Sequence, residues 1–316
     1  MRDHGGNLDW AKAQYGGEGW IDLSTGINRV PYPVPALSAG SFTALPTRPA
    51  LQALLQAAAE AYGSAAPIVA LAGAQAAIQM VPLLRKVGVA RVVGPTYNEH
   101  AACLRACGWV VQEVADLSGL IGADVAIVVN PNNPDGRHWA RADLLALVGQ
   151  VGLLVVDESF ADPSPGESLA ADAGRDGLLV LRSFGKFYGL AGLRLGFALG
   201  AAADIARLGD LAGPWPVSGP ALEIGALALA DRDWSAATTA RLGDEAARMD
   251  AICIRFGWQA LGGTPLFRLY DTPGAAAAQD FLARHQIWSR IFPYSPRWIR
   301  LGLPGGDAEW ARMAAL

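Results

Sequence analysis

Between residues 67 and 200 the chain repeats one pattern that leaves it few folds: a short, nearly all-apolar run, then a longer amphipathic or alanine-rich one. The short runs are PIVALA (67–72), RVVG (91–94), WVVQEV (109–114), DVAIVV (124–129), LLVV (153–156), LLVLRS (178–183) and RLGFALG (194–200). A strand with one wet face alternates apolar and polar residues, whereas a strand covered on both faces has no need to. Continuous runs therefore predict a mainly parallel central sheet sandwiched between helices. Parallel neighbours need long crossovers, and helices are expected over 74–86, 98–107 and 139–150. The class is α/β.

The pattern changes after the proline-rich segment GPWPVSGP (213–220). Helices are expected over 218–230 and 233–256, then a strand (266–270), a helix (274–285), strands over 286–292 and 298–303, and a closing helix. This describes a smaller α+β domain. The first 40 residues are rich in Gly and Pro and show little periodicity, so they read as an arm packing on the small domain and the active site. The expected division is arm 1–40, large domain 41–215 and small C-terminal domain 216–316.

A chain of 316 residues can bury a large core. Its 52% hydrophobic content raises the question of a membrane. The longest uncharged stretch, Ala61 to Leu84, is broken by Pro67, Pro82, Gln75, Gln79 and two glycines, unlike the roughly 20 apolar residues of a spanning helix. The start, MRDHGGNLDWAK, lacks the apolar core of a signal peptide, and a soluble cytoplasmic protein is expected. A net charge of −4 gives no reason to expect nucleic acid. Cys103, Cys107 and Cys253 suit neither a disulfide framework nor a zinc site, and the four histidines form no HxxxH pair, so no metal is expected.

Chemistry-bearing residues cluster in the segments that follow strands, where open α/β sheets bind ligands. They are GAQ (73–75), NPNNPDG (130–136), DES (157–159) and SFGK (183–186). No GxxxxGK[ST] loop accompanies Asp157, and GLAGLRLG (189–196) has the wrong glycine spacing for a dinucleotide fingerprint. Taken in order, these segments resemble the fold-type-I pyridoxal-phosphate enzymes, in the branch holding histidinol-phosphate aminotransferase and threonine-phosphate decarboxylase. The likeness runs from about residue 1 to 303. It is strongest at SFGKFYGLAGLRLG (183–196), similar to the family's S-F-S-K-x-x-G-L-A-G-x-R-x-G.

The resemblance implies pyridoxal 5'-phosphate as cofactor and the PLP-dependent transferase fold of type I. Lys186 would carry the cofactor covalently, since a primary amine adjoining small residues suits that bond. Asp157 would keep the pyridine nitrogen protonated. Gly73, Ala74 and Gln75, at a helix start, would bind the phosphate with Ser183 and Arg194. Tyr97 would stack on the ring, although read alone it is equally a core aromatic. Asn133 would meet the ring hydroxyl. Lys186, Asp157 and Tyr97 make up the expected catalytic group.

Three positions depart from the aminotransferase pattern: Phe160 replaces a tyrosine, Gly185 replaces the second serine of S-F-S-K, and Leu45 replaces a tyrosine that reaches a partner subunit. Near the C-terminus, Arg300 (in WIRLGLP) matches the arginine that meets the substrate carboxylate, and Arg290 (in IWSRIF) is a second cation. HGGN (4–7), DLSTGIN (22–28) and DESFAD (157–162) look like the decarboxylase branch, in which His4, Asn28 and an arginine would bind a substrate phosphate. The resemblance thus implies decarboxylation of L-threonine O-3-phosphate to (R)-1-aminopropan-2-ol phosphate in cobalamin biosynthesis, by a homodimer. Two alternatives stay open: an aminotransferase for histidinol phosphate or a related amino acid, and a non-catalytic cofactor-binding regulator.

Overall fold

The structure, a computed structural model, describes residues 4–316. Contacts divide it into two compact units, each assembled from separated stretches of chain. The sheet unit comprises residues 32–133 and 138–235; the other comprises residues up to Pro31, 134–137 and 236–316.

The sheet unit is built on seven strands: β1 (Ile68–Leu71), β2 (Val89–Val93), β3 (Val110–Val114), β4 (Val125–Val129), β5 (Leu154–Asp157), β6 (Leu178–Ser183) and β7 (Gly196–Gly200). Their spatial order is β1-β7-β6-β5-β4-β2-β3. β7 runs antiparallel to both neighbours, and every other pairing is parallel. The central strands β4 and β5 are buried at every residue, which is why their sequences are unbroken apolar runs. β3 lies at the edge with most side chains exposed and tolerates Gln112 and Glu113. The core on one face joins Leu71, Ile78, Leu104, Trp109, Val125 and Val155.

The helices are shorter than their periodicity predicts. α1 (Ala74–Met80) gives way to a tighter turn over Val81–Leu83, where Pro82 has no N–H to continue the ladder. α2 (Asn98–Ala106) follows β2, and Arg141–Leu147 forms the helix expected over 139–150.

In the second unit a four-stranded antiparallel sheet runs in the order Arg290–Phe292, Ser295–Gly302, Phe267–Asp271, Gln259–Thr264. The last of these escapes a sequence reading, because QALGGT does not alternate and its pairing shifts register opposite Leu269/Tyr270. The N-terminal stretch is structured. It forms a helix (Leu8–Tyr15) whose Ala11 packs on Ala283 and Trp288, and a strand (Ile21–Asp22) parallel to Ile287–Trp288.

The division differs from the expected one at both ends, falling after Pro31 and Ser235 where composition placed it after 40 and 215. The cause is the helix Gly219–Ala230, which packs on the helix Arg48–Tyr62 of the sheet unit. A Cβ at Gly225 would come within 2.8 Å of Leu54 and 2.6 Å of Leu195, so the two helices approach closely and 216–235 belong with the sheet. Among the described residues no helix is long and apolar enough to cross a membrane.

Candidate active site

Parallel strands bring their C-terminal ends to one edge of the sheet, and the motif residues gather there. A single cavity of the sheet unit is lined by Gly73, Ala74, Gln75, Tyr97, Asn133, Asp157, Ser183, Lys186 and Arg194. Residues separated by more than a hundred positions thus meet because β1, β2, β4, β5 and β6 all end beside one another. Ser159, Phe160, Gly185 and Ala191 complete much of the remaining wall.

Asp157 ends β5 and is buried. His100 of α2, also buried, lies with Nε2 2.8 Å from Asp157 Oδ2. Ser159 donates to Oδ1 through its backbone N–H (3.0 Å) and its hydroxyl. Burial opposes ionisation of Asp157, but the bonds from His100 and Ser159 outweigh it and hold the carboxyl below the usual carboxylate range. It is therefore an anion, and His100 donates to it. His100 was not identified from sequence, and Ser159 entered only as the last residue of DES, without a role. A lone histidine on a helix usually reads as a core residue, and only its place three residues after Tyr97 hinted otherwise.

Lys186 lies in a one-turn helix, α3 (Phe184–Phe187), directly after β6. Its Nζ is 5.7 Å from the centroid of the Phe160 ring, the position where a tyrosine would have brought a hydroxyl. Gly185 has a steric cause: a Cβ there would come within 2.7 Å of the Ala191 Cα. Behind the wall, Arg182 of β6 is buried between Glu158 (2.8 Å) and Asp162 (2.7 Å), tying the end of β5 to β6.

NPNNPDG holds three asparagines, and two of them have backbone duties. Asn130 accepts from Trp139 N–H (2.9 Å) and donates to its carbonyl (3.1 Å), while Asn132 donates to the Pro95 carbonyl (3.0 Å). Asn133 lines the cavity. At the opposite wall Gly73 has φ 81°, and a Cβ there would meet the Arg194 guanidinium at 2.6 Å. Its backbone conformation favours glycine, and a Cβ would also force the Arg194 guanidinium to shift. Gln75 accepts from the Tyr97 hydroxyl (3.2 Å) and donates to the buried Glu99 (3.0 Å). Burial, then the Glu99 charge, push the Tyr97 phenol up to about 12.

The remaining expected residues belong to the second unit. His4 and Arg290 line one cavity of about 330 Å³, together with Ser24 and Ser289, whose buried hydroxyl makes no hydrogen bond. Asn28 is buried and accepts from Val30 N–H (3.0 Å) and Arg241 (2.9 Å). Arg300 is buried and donates to the Ser24 carbonyl (2.7 Å). It stands directly opposite Arg290 on the neighbouring antiparallel strand. Burial, then that like charge, lower the Arg300 pKa to about 10.

The sheet unit therefore combines an amine for covalent attachment to a carbonyl, a buried carboxylate for a protonated ring nitrogen, and a guanidinium beside a helix start for a phosphate. The profile described as aminotransferase class I and II matches residues 9–315. The chain belongs to that family. A threonine-phosphate decarboxylase of Pseudomonas aeruginosa is 43% identical over an alignment covering 100% of this chain and 97% of the relative. Another so named, from Sinorhizobium, is 42% identical, covering 98% and 96%. The crystal structure of histidinol-phosphate aminotransferase from Sinorhizobium meliloti, in complex with pyridoxal 5'-phosphate, superposes with a TM-score of 0.85 at 22% identity, covering 100% of this chain and 94% of that one. The expected fold of class I and II aminotransferases, a mainly parallel sheet flanked by helices, is borne out.

Proposed function

We propose that this chain is a pyridoxal-phosphate-dependent lyase that decarboxylates L-threonine O-3-phosphate to (R)-1-aminopropan-2-ol phosphate for the cobalamin side chain. The observation that carries the substrate is the 43% identity, end to end, with a protein named threonine-phosphate decarboxylase. The side chains around the cavity fit the cofactor. Lys186 would hold it covalently, Asp157 its ring nitrogen, Asn133 its ring oxygen and Tyr97 its face. Its phosphate would lie against the first turn of α1, at Gly73, Ala74 and Gln75, with Ser183 and Arg194. When bound, it supplies a conjugated ring able to take up the electron pair of a bond broken at the substrate's Cα.

The residues of the chain do the rest. Asp157, kept anionic by His100 and Ser159, would hold a proton on the ring nitrogen of the bound cofactor. Lys186, the amine of the cavity wall, would be the group placed to return a proton to the substrate's Cα once CO₂ has left. Phe160 offers no hydroxyl beside that amine. In the second unit Arg290 and Arg300 are like charges directly opposite each other on two strands, and an anionic substrate group would be attracted to both. With His4 and Asn28 they suit a substrate bearing both carboxylate and phosphate.

A homodimer goes with this reading, supported by large apolar side chains left in water: Phe42 is 69% exposed and Leu45 64%. A cytoplasmic location also fits, since Cys103, Cys107 and Cys253 are thiols rather than disulfides. The test is to load the protein with cofactor and offer L-threonine O-3-phosphate or, separately, histidinol phosphate with 2-oxoglutarate. CO₂ from the first and no glutamate from the second is the expected result. Glutamate formation would establish an aminotransferase instead, and bound cofactor with no turnover a non-catalytic binder. Lys186→Ala should abolish both turnover and the visible absorbance of the bound cofactor.

A further inference from the structure

The cavity wall contains a short chain of directed hydrogen bonds that the proposed chemistry does not use. Glu99, on the first turn of α2, is only 5% exposed. A carboxylate accepts and cannot donate, so the Gln75 amide nitrogen must face it, as it does at 3.0 Å. That choice turns the amide oxygen toward Tyr97, whose hydroxyl donates to it at 3.2 Å. Reversing the Gln75 amide would set oxygen against carboxylate and leave the phenol without that acceptor. Each bond thus fixes the sense of the next, from a buried charge to an aromatic ring on the cavity wall.

We propose that Glu99, acting through Gln75, is a positioning residue that fixes the tilt of the Tyr97 ring at the cofactor pocket and commits its hydroxyl proton to Gln75. This rests on the reading that the cavity holds pyridoxal phosphate and that Tyr97 lies on its ring. The half-buried ring lines open space on one side and packs against the core and edge-on to His100 on the other, and the hydrogen bond to Gln75 adds a directed contact at the hydroxyl. The phenol, pushed up to about 12 mainly by burial and then by the Glu99 charge, keeps the proton it donates. A buried carboxylate merely satisfied by an amide would give the same distances without any effect on the cofactor.

A double-mutant cycle separates the two readings. Wild type, Glu99→Ala, Gln75→Met (which keeps the backbone N–H of the helix start) and the double variant are loaded with pyridoxal phosphate. The readouts are the visible circular dichroism of the bound cofactor, which reports the asymmetry of its surroundings, and kcat and KM for L-threonine O-3-phosphate. Either single variant should change the visible band and lower kcat on the order of 10-fold with KM nearly unchanged, as for a misplaced rather than a missing group. The double variant should be no worse than the worse single one, because both break one chain. Glu99→Gln, which keeps an acceptor at the same place, should recover most of the band, and it serves equally if Glu99→Ala does not fold. An unaltered band and kcat in Glu99→Ala, or effects that multiply in the double variant, would overturn the proposal while leaving the functional reading intact. If wild type takes up no cofactor, both fall.

Discussion

Asp157 shows how one residue can be written in the sequence while its environment is not. Asp157→Asn should lower kcat on the order of 10²-fold or more, as expected when a buried charge that supports the transition state is removed, and steady-state assays on cofactor-loaded protein will measure it. Because the folded carboxyl titrates below its unfolded value of about 3.9, the stability it adds is fully present above about pH 4. That stability is lost as pH falls through the lower folded value. The gap in denaturant midpoint between wild type and Asp157→Asn should therefore close on acidification below pH ~4. Gly185 makes the opposite point. Gly185→Ser restores the family motif, yet its Cβ would crowd Ala191 at 2.7 Å, and a loss of about 1–3 kcal/mol is expected by chemical denaturation. Lys186, Asp157 and Asn133 were legible because each sits in a local motif. His100 and Glu99 were not, because their partners are brought near only through folding.

At the scale of elements, the strands that carry the site are held in step by charge as well as by their ladder. Arg182 of β6 is buried with Glu158, which follows β5, and with Asp162, and its guanidinium lies 4.3 Å from the Tyr62 ring centroid. Burial works against the charge on Arg182, but Asp162 and then Glu158 outweigh it and raise its pKa. Arg182→Met leaves the buried Glu158 and the partly buried Asp162 without their cation and should cost about 3–5 kcal/mol in urea unfolding. All seven strands of the sheet were readable, since strands covered on both faces advertise themselves as apolar runs. Gln259–Thr264 was not, since a glycine-rich strand displays no face.

For the whole molecule, the proline-rich segment that reads as a linker falls inside the sheet unit, and contacts divide the chain after Ser235 instead. The chain in fact leaves the sheet unit beside Tyr32 and Trp234, two rings that pack on each other with centroids 5.1 Å apart. Trp234 also stacks on Tyr188, two residues beyond Lys186. Assembly can be tested through the exposed side chains: Phe42→Glu should shift the protein from dimer to monomer in light scattering at micromolar concentration, with far-UV circular dichroism unchanged. The reversed strand β7 carries a last consequence. Because β6 and β7 are antiparallel neighbours joined by Phe184–Leu195, the amine of Lys186 and the guanidinium of Arg194 lie on one hairpin connection. Elsewhere in the sheet an inserted residue can be absorbed by a surface crossover. Here it would change the distance between the amine proposed to fasten the cofactor and the guanidinium proposed for its phosphate, so on that reading the length of this connection is itself a functional parameter.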